Sequence, residues 1–137
     1  MKVIDASVAI KWVRREEEFS KIAIKIQTDH LDNIDKILIP RLMLYEVANA
    51  LATKSDTTPM YVRSGLSVLF ESKLEIYHES EKEILEAAKL AKKYKTSVYD
   101  MLYAVIAKEN KCKLITADEN FAKKTGFKFV QHISEVQ

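Results

Sequence analysis

Four acidic residues stand where a carboxylate is hard to explain by its neighbours alone: Asp5, Glu46, Asp100 and Asp118. Asp5 closes the β-branched start of the chain in VIDAS, and Asp118 follows KLITA. Asp100 is the only charge between Val98 and Ala107, a stretch otherwise suited to burial, where an unpaired carboxylate carries a heavy desolvation penalty. Glu46 shares a helical face with Leu42, Met43, Asn49 and Ala50, so Glu46 and Asn49 interrupt an apolar surface. Carboxylates gathered without Arg partners repel one another and raise each other's pKa values, so such a set is stable only with cations between its members. An all-oxygen set selects a hard cation, Mg²⁺ or Mn²⁺, with water and substrate phosphate completing the coordination. One or two such ions can activate water and neutralise the leaving oxygen in an in-line attack on a phosphodiester, with no covalent nucleophile.

Each acid also has a local explanation. Asp5 and Asp118 could cap helices, because an Asp at a helix start accepts hydrogen bonds from free N–H groups. Asp100 could complete a capping box with Ser97, and Glu119, a possible fifth acid, could do so with Thr116. Glu46 resists this account, since it lies mid-helix where no orphan N–H group is available.

The elements that must position these residues follow from the alternation of short β-branched runs with longer helical stretches, the pattern of strands joined by helices into a parallel sheet. KVI reads as the first strand, followed by a short helix from about Ala6 to Val13 and another from about Glu17 to His30, with Ile22, Ile26 and Leu31 at helical spacing. KILIP is the second strand. Pro40 stops it and suits the start of a helix through about Thr53. Thr58 and Pro59 open the next helix, to about Ser72, before the third strand LEIYH. Ser80 and Glu83 form a capping box at the head of EKEILEAAKLAKKY, whose Ile84, Ala88, Ala91 and Tyr94 make an apolar stripe expected to pack on the sheet. SVYDMLYAVIAKEN is a helix apolar on nearly all sides, KLIT a strand, DENFAKK a short helix and FKFVQ a last strand. Asp5 and Asp118 therefore share the carboxyl edge of the sheet, where open α/β folds place ligands.

At 137 residues and 47% hydrophobic content, the chain fits one domain, residues 1–137, with a substantial core. Two Gly and two Pro leave little room for flexible linkers. The apolar runs are too short to cross a bilayer and no signal-peptide pattern opens the chain, so a soluble, cytoplasmic protein is expected. The single cysteine, Cys112, suits a reducing compartment and reads as a small core residue. His30, His78 and His132 are scattered, with no zinc spacing, and read as surface or internally satisfied histidines. A net charge of +2 does not argue for nucleic acid by itself. The later half is nonetheless rich in lysine, including Lys89, Lys92, Lys93, Lys95, Lys108, Lys111, Lys113, Lys123, Lys124 and Lys128, which as a group could meet phosphates.

Three stretches, VIDASVAIKW, LMLYEVANAL and SVYDMLYAVIAKENKCKLITADENF, carry a resemblance: the chain resembles the PIN-domain family, specifically the VapC-type toxins, over essentially its whole length. The resemblance implies a three-layer α/β/α domain with a central parallel sheet of four to five strands, and a metal-dependent ribonuclease using Mg²⁺ or Mn²⁺. Asp5, Glu46, Asp100 and Asp118 match the family's acidic positions. In that reading Asp5 and Asp118 hold metal directly, and Asp100 and Glu46 hold metal or its waters. Ser7 and Thr116 look like the small hydroxyl positions that bond to carboxylates, and Asn49 could act likewise. The resemblance also implies an RNA substrate, a homodimer and a VapB-type antitoxin, an Arg of which could insert among the acids. Trp12, Tyr45, Tyr61 and Phe70 could line a groove for the antitoxin.

Other classes fit less well. A helix-turn-helix DNA reader would use LYEVANALATKSDTTPMYVRSGLSVL, but its second helix carries only Arg63 and ends in apolar LSVLF. A PIN-like scaffold without cleavage finds little support while all four acids are present. A phosphorelay receiver would want paired acids after the first strand, where Asp5 is followed by Ala6 and Ser7.

Overall fold

A computed structural model describes residues 1–137. Its centre is a five-stranded, wholly parallel sheet built from β1 (Lys2–Ile4), β2 (Ile37–Pro40), β3 (Glu75–Tyr77), β4 (Lys113–Thr116) and β5 (Val130–His132), in the order β3-β2-β1-β4-β5. Val3 lies in register with Leu38 on one side and Leu114 on the other, and all three are buried. Short apolar strands suit this position, since a parallel sheet is covered on both faces.

The connections are α1 (Ala6–Ala9, continued by a 3₁₀ turn, Ile10–Trp12), α2 (Ser20–Leu31), α3 (Leu42–Thr53), α4 (Pro59–Glu71), α5 (Glu81–Tyr94), α6 (Val98–Glu109) and α7 (Glu119–Thr125). From β1 the chain winds outward through β2 to β3, then crosses back to β4 and β5. Right-handed crossovers therefore put α1 to α4 on one face and α5 to α7 on the other, the three-layer α/β/α arrangement. Winding reverses between β1 and β4, and the carboxyl ends of these two strands flank the crevice where doubly wound sheets bind ligands.

The helix apolar on nearly all sides is α6, in which every residue from Met101 to Ala107 is buried. It lies against β1, β2 and β4, and α5 covers its outer side. The expected packing of α5 on the sheet is thus corrected: α5 packs on α6. Its buried positions are Glu83, Ala87 and Ala91, whereas Ile84 is 46% exposed and Ala88 is also exposed. Two alanines one turn apart allow close helix approach, which places the contact face beside the expected stripe. The Ser80–Glu83 capping box forms as expected, and Tyr77 donates a 2.7 Å hydrogen bond that helps satisfy Glu83.

Two helix boundaries also differ from the pattern. α1 tightens into the 3₁₀ turn after Ala9, and α2 begins at Ser20 because Glu17 is engaged by Lys11 at 3.1 Å while Phe19 adopts a left-handed φ of 65°. Trp12 is buried and donates to the Ala23 carbonyl at 2.8 Å, so it belongs to the core and lines no surface groove. His30 is buried and satisfied: Nδ1 accepts from the Ile37 amide at 3.0 Å, which leaves Nε2 to donate to the Lys73 carbonyl at 3.0 Å. Cys112 is only partly buried against the core. β5 is displaced from FKFVQ because Phe127 and Phe129 stack on each other before the strand begins, with ring centroids 5.3 Å apart.

Candidate active site

The four acids come from four separate elements around the switch point. Asp5 follows β1 directly and is the N-cap of α1, accepting from the Ser7 amide at 3.0 Å and from the Ser7 hydroxyl. Asp118 lies two residues beyond β4 and is the N-cap of α7, accepting from the Phe121 amide at 3.0 Å. The capping expected of these two residues is therefore formed, and in each case it engages one carboxylate oxygen. The second oxygen stays free to meet something else.

Ser7 and Thr116 hold the two ends together. The Ser7 hydroxyl accepts from the Ala117 amide at 2.8 Å while donating to Asp5, so it ties the end of β4 to the end of β1. The Thr116 side chain is fully buried and accepts from the Asp118 amide at 3.0 Å, and its hydroxyl lies close enough to Asp5 to favour the charged carboxylate. Asp5 keeps some exposed surface as a residue, yet its carboxyl is desolvated. That burial pushes its pKa up from 3.8 to about 6, against the opposing hydrogen bonds from Ser7 and Thr116, and the Asp100 charge adds to the rise.

Glu46 sits in the middle of α3, and the hydroxyl of Tyr103 on α6 donates to its Oε1. Burial raises its pKa, the Tyr103 bond opposes the rise and the Asp100 charge reinforces it. Asp100, in the first turn of α6, is likewise raised by burial, opposed by Ser97 and reinforced by Asp118. Ser97 accepts from the Asp100 amide at 3.0 Å, but the Asp100 carboxylate accepts no return bond from the Ser97 amide. The box is half made.

Burial is the main cause of all three shifts, and the acids add to one another: the Asp100 charge raises Asp5 and Glu46 further, and the Asp118 charge raises Asp100. None of the four forms an ion pair with Lys or Arg. Uncompensated carboxylates, with Asp5, Glu46 and Asp100 partly desolvated, fit a divalent cation. No three His, Cys, Asp or Glu side chains are gathered closely enough to cage an ion unaided. Mg²⁺ asks for less, since it is commonly bound by one or two carboxylates and keeps several waters.

The remaining sequence candidates separate clearly. Asn49 is exposed and its side chain makes no hydrogen bond to these carboxylates. Glu119 is exposed and pairs with Lys123 at 3.0 Å, which lowers its pKa; the expected pairing with Thr116 is absent because the Thr116 hydroxyl is engaged by Asp118. Tyr103 was not among the candidates. Its signal lay one turn beyond Asp100, where a phenol in an otherwise apolar helix needs a hydrogen-bond partner. Burial and the charges of Glu46, Asp5 and Asp100 raise its pKa far above the ordinary tyrosine range, so the hydroxyl is a fixed donor. The helices α3 and α4 proposed for DNA reading are instead the β2–β3 crossover.

No curated protein matches the chain. Among solved structures, the crystal structure of PAE2754 from Pyrobaculum aerophilum is similar with a TM-score of 0.71 and 19% identity, over 97% of this chain and 89% of that one. The family profile described as "PIN domain" matches residues 2–126. With the acids at the carboxyl edge of a sheet of this order, and a profile spanning nearly all of the sequence, the chain belongs to the PIN-domain family.

Proposed function

We propose that this single PIN domain, residues 1–137, is a Mg²⁺- or Mn²⁺-dependent endoribonuclease of the VapC type, the toxin of a type II toxin–antitoxin pair. PIN domains are generally metal-dependent nucleases. The observation that carries the reading is that four acids from four separate elements lie around the switch point with no basic side chain paired to any of them. Structural carboxylates are normally neutralised, and leaving four unpaired at a ligand-binding edge is a feature of function.

In this reading Asp5 and Asp118, just beyond β1 and β4, supply carboxylate oxygens, and Glu46 on α3 and Asp100 on α6 complete the acidic set. A divalent ion held there would supply activation of water and neutralisation of the departing oxygen. Ser7 fixes the Asp5 carboxylate, so its orientation survives the charge changes of turnover. Tyr103 holds Glu46 as an oriented acceptor for the proton of an attacking water. Sequence preference in RNA would come from strand shape and unstacked bases around the cleft.

The toxin reading adds an antitoxin of the VapB type and a homodimer. Exposed Tyr45, Met60 and Phe70 on α3 and α4 supply apolar surface for such contacts. No helix is long and apolar enough to cross a membrane, which suits the cytoplasmic site such a pair would occupy.

Cleavage of single-stranded and structured RNAs in Mg²⁺, Mn²⁺ or EDTA tests the activity. Metal-dependent cleavage lost in Asp5→Asn and Asp118→Asn supports it, and equal cleavage in EDTA or by these variants overturns it. Growth arrest on expression, relieved by a co-expressed neighbouring gene product, tests the toxin role; unaffected growth with active enzyme removes it.

A further inference from the structure

At the opposite edge of the sheet from the acids, two cavities adjoin. One, of about 320 Å³, lies between α5, α6 and the approach to β5, lined chiefly by Leu90, Tyr94, Ala104, Val105, Phe127 and Phe129. The other, an open cleft of about 390 Å³, holds Lys108, Lys111, Lys113 and Lys128. Lys108 and Phe129 line both, so the apolar cavity opens beside the lysines.

The structure sorts the lysine-rich half of the chain. Lys123 pairs with Glu119, Lys124 donates to the Lys95 carbonyl and Lys93 lies 5.3 Å from the Tyr94 ring centroid. Lys111, Lys113 and Lys128 are exposed and form no ion pair, and Lys108 reaches Glu86 only at 3.9 Å. Three free ammonium groups in one cleft repel one another and seek an anion. Phosphates beside an aromatic cavity are the parts of a single-stranded nucleic acid: charge tracks the backbone and rings take a base.

We propose that this cleft is a second RNA-binding site, in which the lysines hold successive phosphates and the Tyr94–Phe127–Phe129 cavity takes one unpaired base. The inference rests on RNA being the substrate. Lys113 opens β4 and Asp118 lies two residues beyond its end, so the sites are separated by about 16 Å of extended chain, a span that a few nucleotides cover. β5 forms the sheet edge along that path. The site would therefore hold long substrates while a dinucleotide reaches only the acids.

The test is fluorescence anisotropy of a labelled single-stranded RNA of about twelve nucleotides on the Asp5→Asn protein, with and without Lys111→Gln, Lys113→Gln and Lys128→Gln combined. These side chains are exposed, so folding is not at stake. The expected result is a loss of affinity of at least about tenfold and a salt dependence flatter by about two in log–log slope. An abasic nucleotide at one position should weaken binding about tenfold, and in the otherwise native enzyme the triple variant should raise KM for the long RNA while leaving a dinucleotide unaffected. Unchanged affinity or salt slope, equal binding of duplex, or displacement by an acidic peptide as effective as by RNA would overturn the proposal. Because binding is read without turnover, a wild type that cleaves no RNA is a separate result, counting against the nuclease reading alone.

Discussion

The hydroxyl of Tyr103 donates to the carboxylate of Glu46, joining two helices across 57 residues of sequence. Glu46 lies mid-α3 with no free backbone N–H to cap, and Tyr103 lies in the buried run of α6, so each satisfies the other's otherwise unmet polar group.

Tyr103→Phe removes that donor and keeps the ring. The Glu46 pKa should rise further, since the bond opposing its elevation is lost. We expect the metal concentration for half-maximal cleavage to rise roughly tenfold to a hundredfold, with circular dichroism unchanged. A metal titration of the variant with native metal response would remove Tyr103 from the site.

Ser7→Ala breaks two bonds at once and leaves the Ala117 amide without its acceptor. A loss of about 1–3 kcal/mol is expected, together with a further upward shift of Asp5, for which Ser7 is the foremost lowering influence. Chemical denaturation and the pH profile of cleavage read the two effects separately.

Stability of the metal-free protein should depend on pH with a defined sign. The Asp5 pKa is higher in the folded chain, about 6 against 3.8, so between those values the native state holds the extra proton. Stability is then greatest below about pH 4 as far as this group is concerned, falls as pH rises towards 6 and levels off above it; Glu46 and Asp100, also raised, act in the same direction. The Asp5 contribution is at most about 3 kcal/mol. Thermal melts from pH 4 to 7 check the fall, and saturating Mn²⁺ should flatten it and raise the midpoint.

Asp100→Asn should separate stability from activity. Removing the central charge relieves Asp5 and Glu46, lowering both pKa values, and should make the metal-free protein more stable at pH 7 while abolishing cleavage. A variant less stable than wild type under those conditions would mean that Asp100 is held by contacts beyond the acids.

Glu119→Gln is the contrasting case. Its carboxylate is exposed and engaged with Lys123, and an exposed pair of this kind contributes little to stability. Cleavage rate and melting temperature should both match the wild type.

Much of this was legible in the sequence because it is local or periodic. The alternation of β-branched runs and helical stretches dictated a parallel α/β sheet, and caps at Asp5, Thr58, Ser80 and Asp118 depend on residues no more than three positions away. Glu46 and Asp100 could be singled out because a lone charge in an apolar helix is conspicuous wherever the chain folds, and Asp5 and Asp118 because each follows a short apolar strand. What lay between elements was not legible. That α5 packs on α6 through Ala87 and Ala91 depends on which face can approach a neighbour closely, and a stripe of apolar residues does not specify that. The bond between Glu46 and Tyr103, the Ser7 tie to Ala117 and the convergence of four scattered lysines each join residues distant in sequence. Hydrophobic periodicity reports which face of an element turns inward; only the folded sheet, with its reversal between β1 and β4, decides what that face meets.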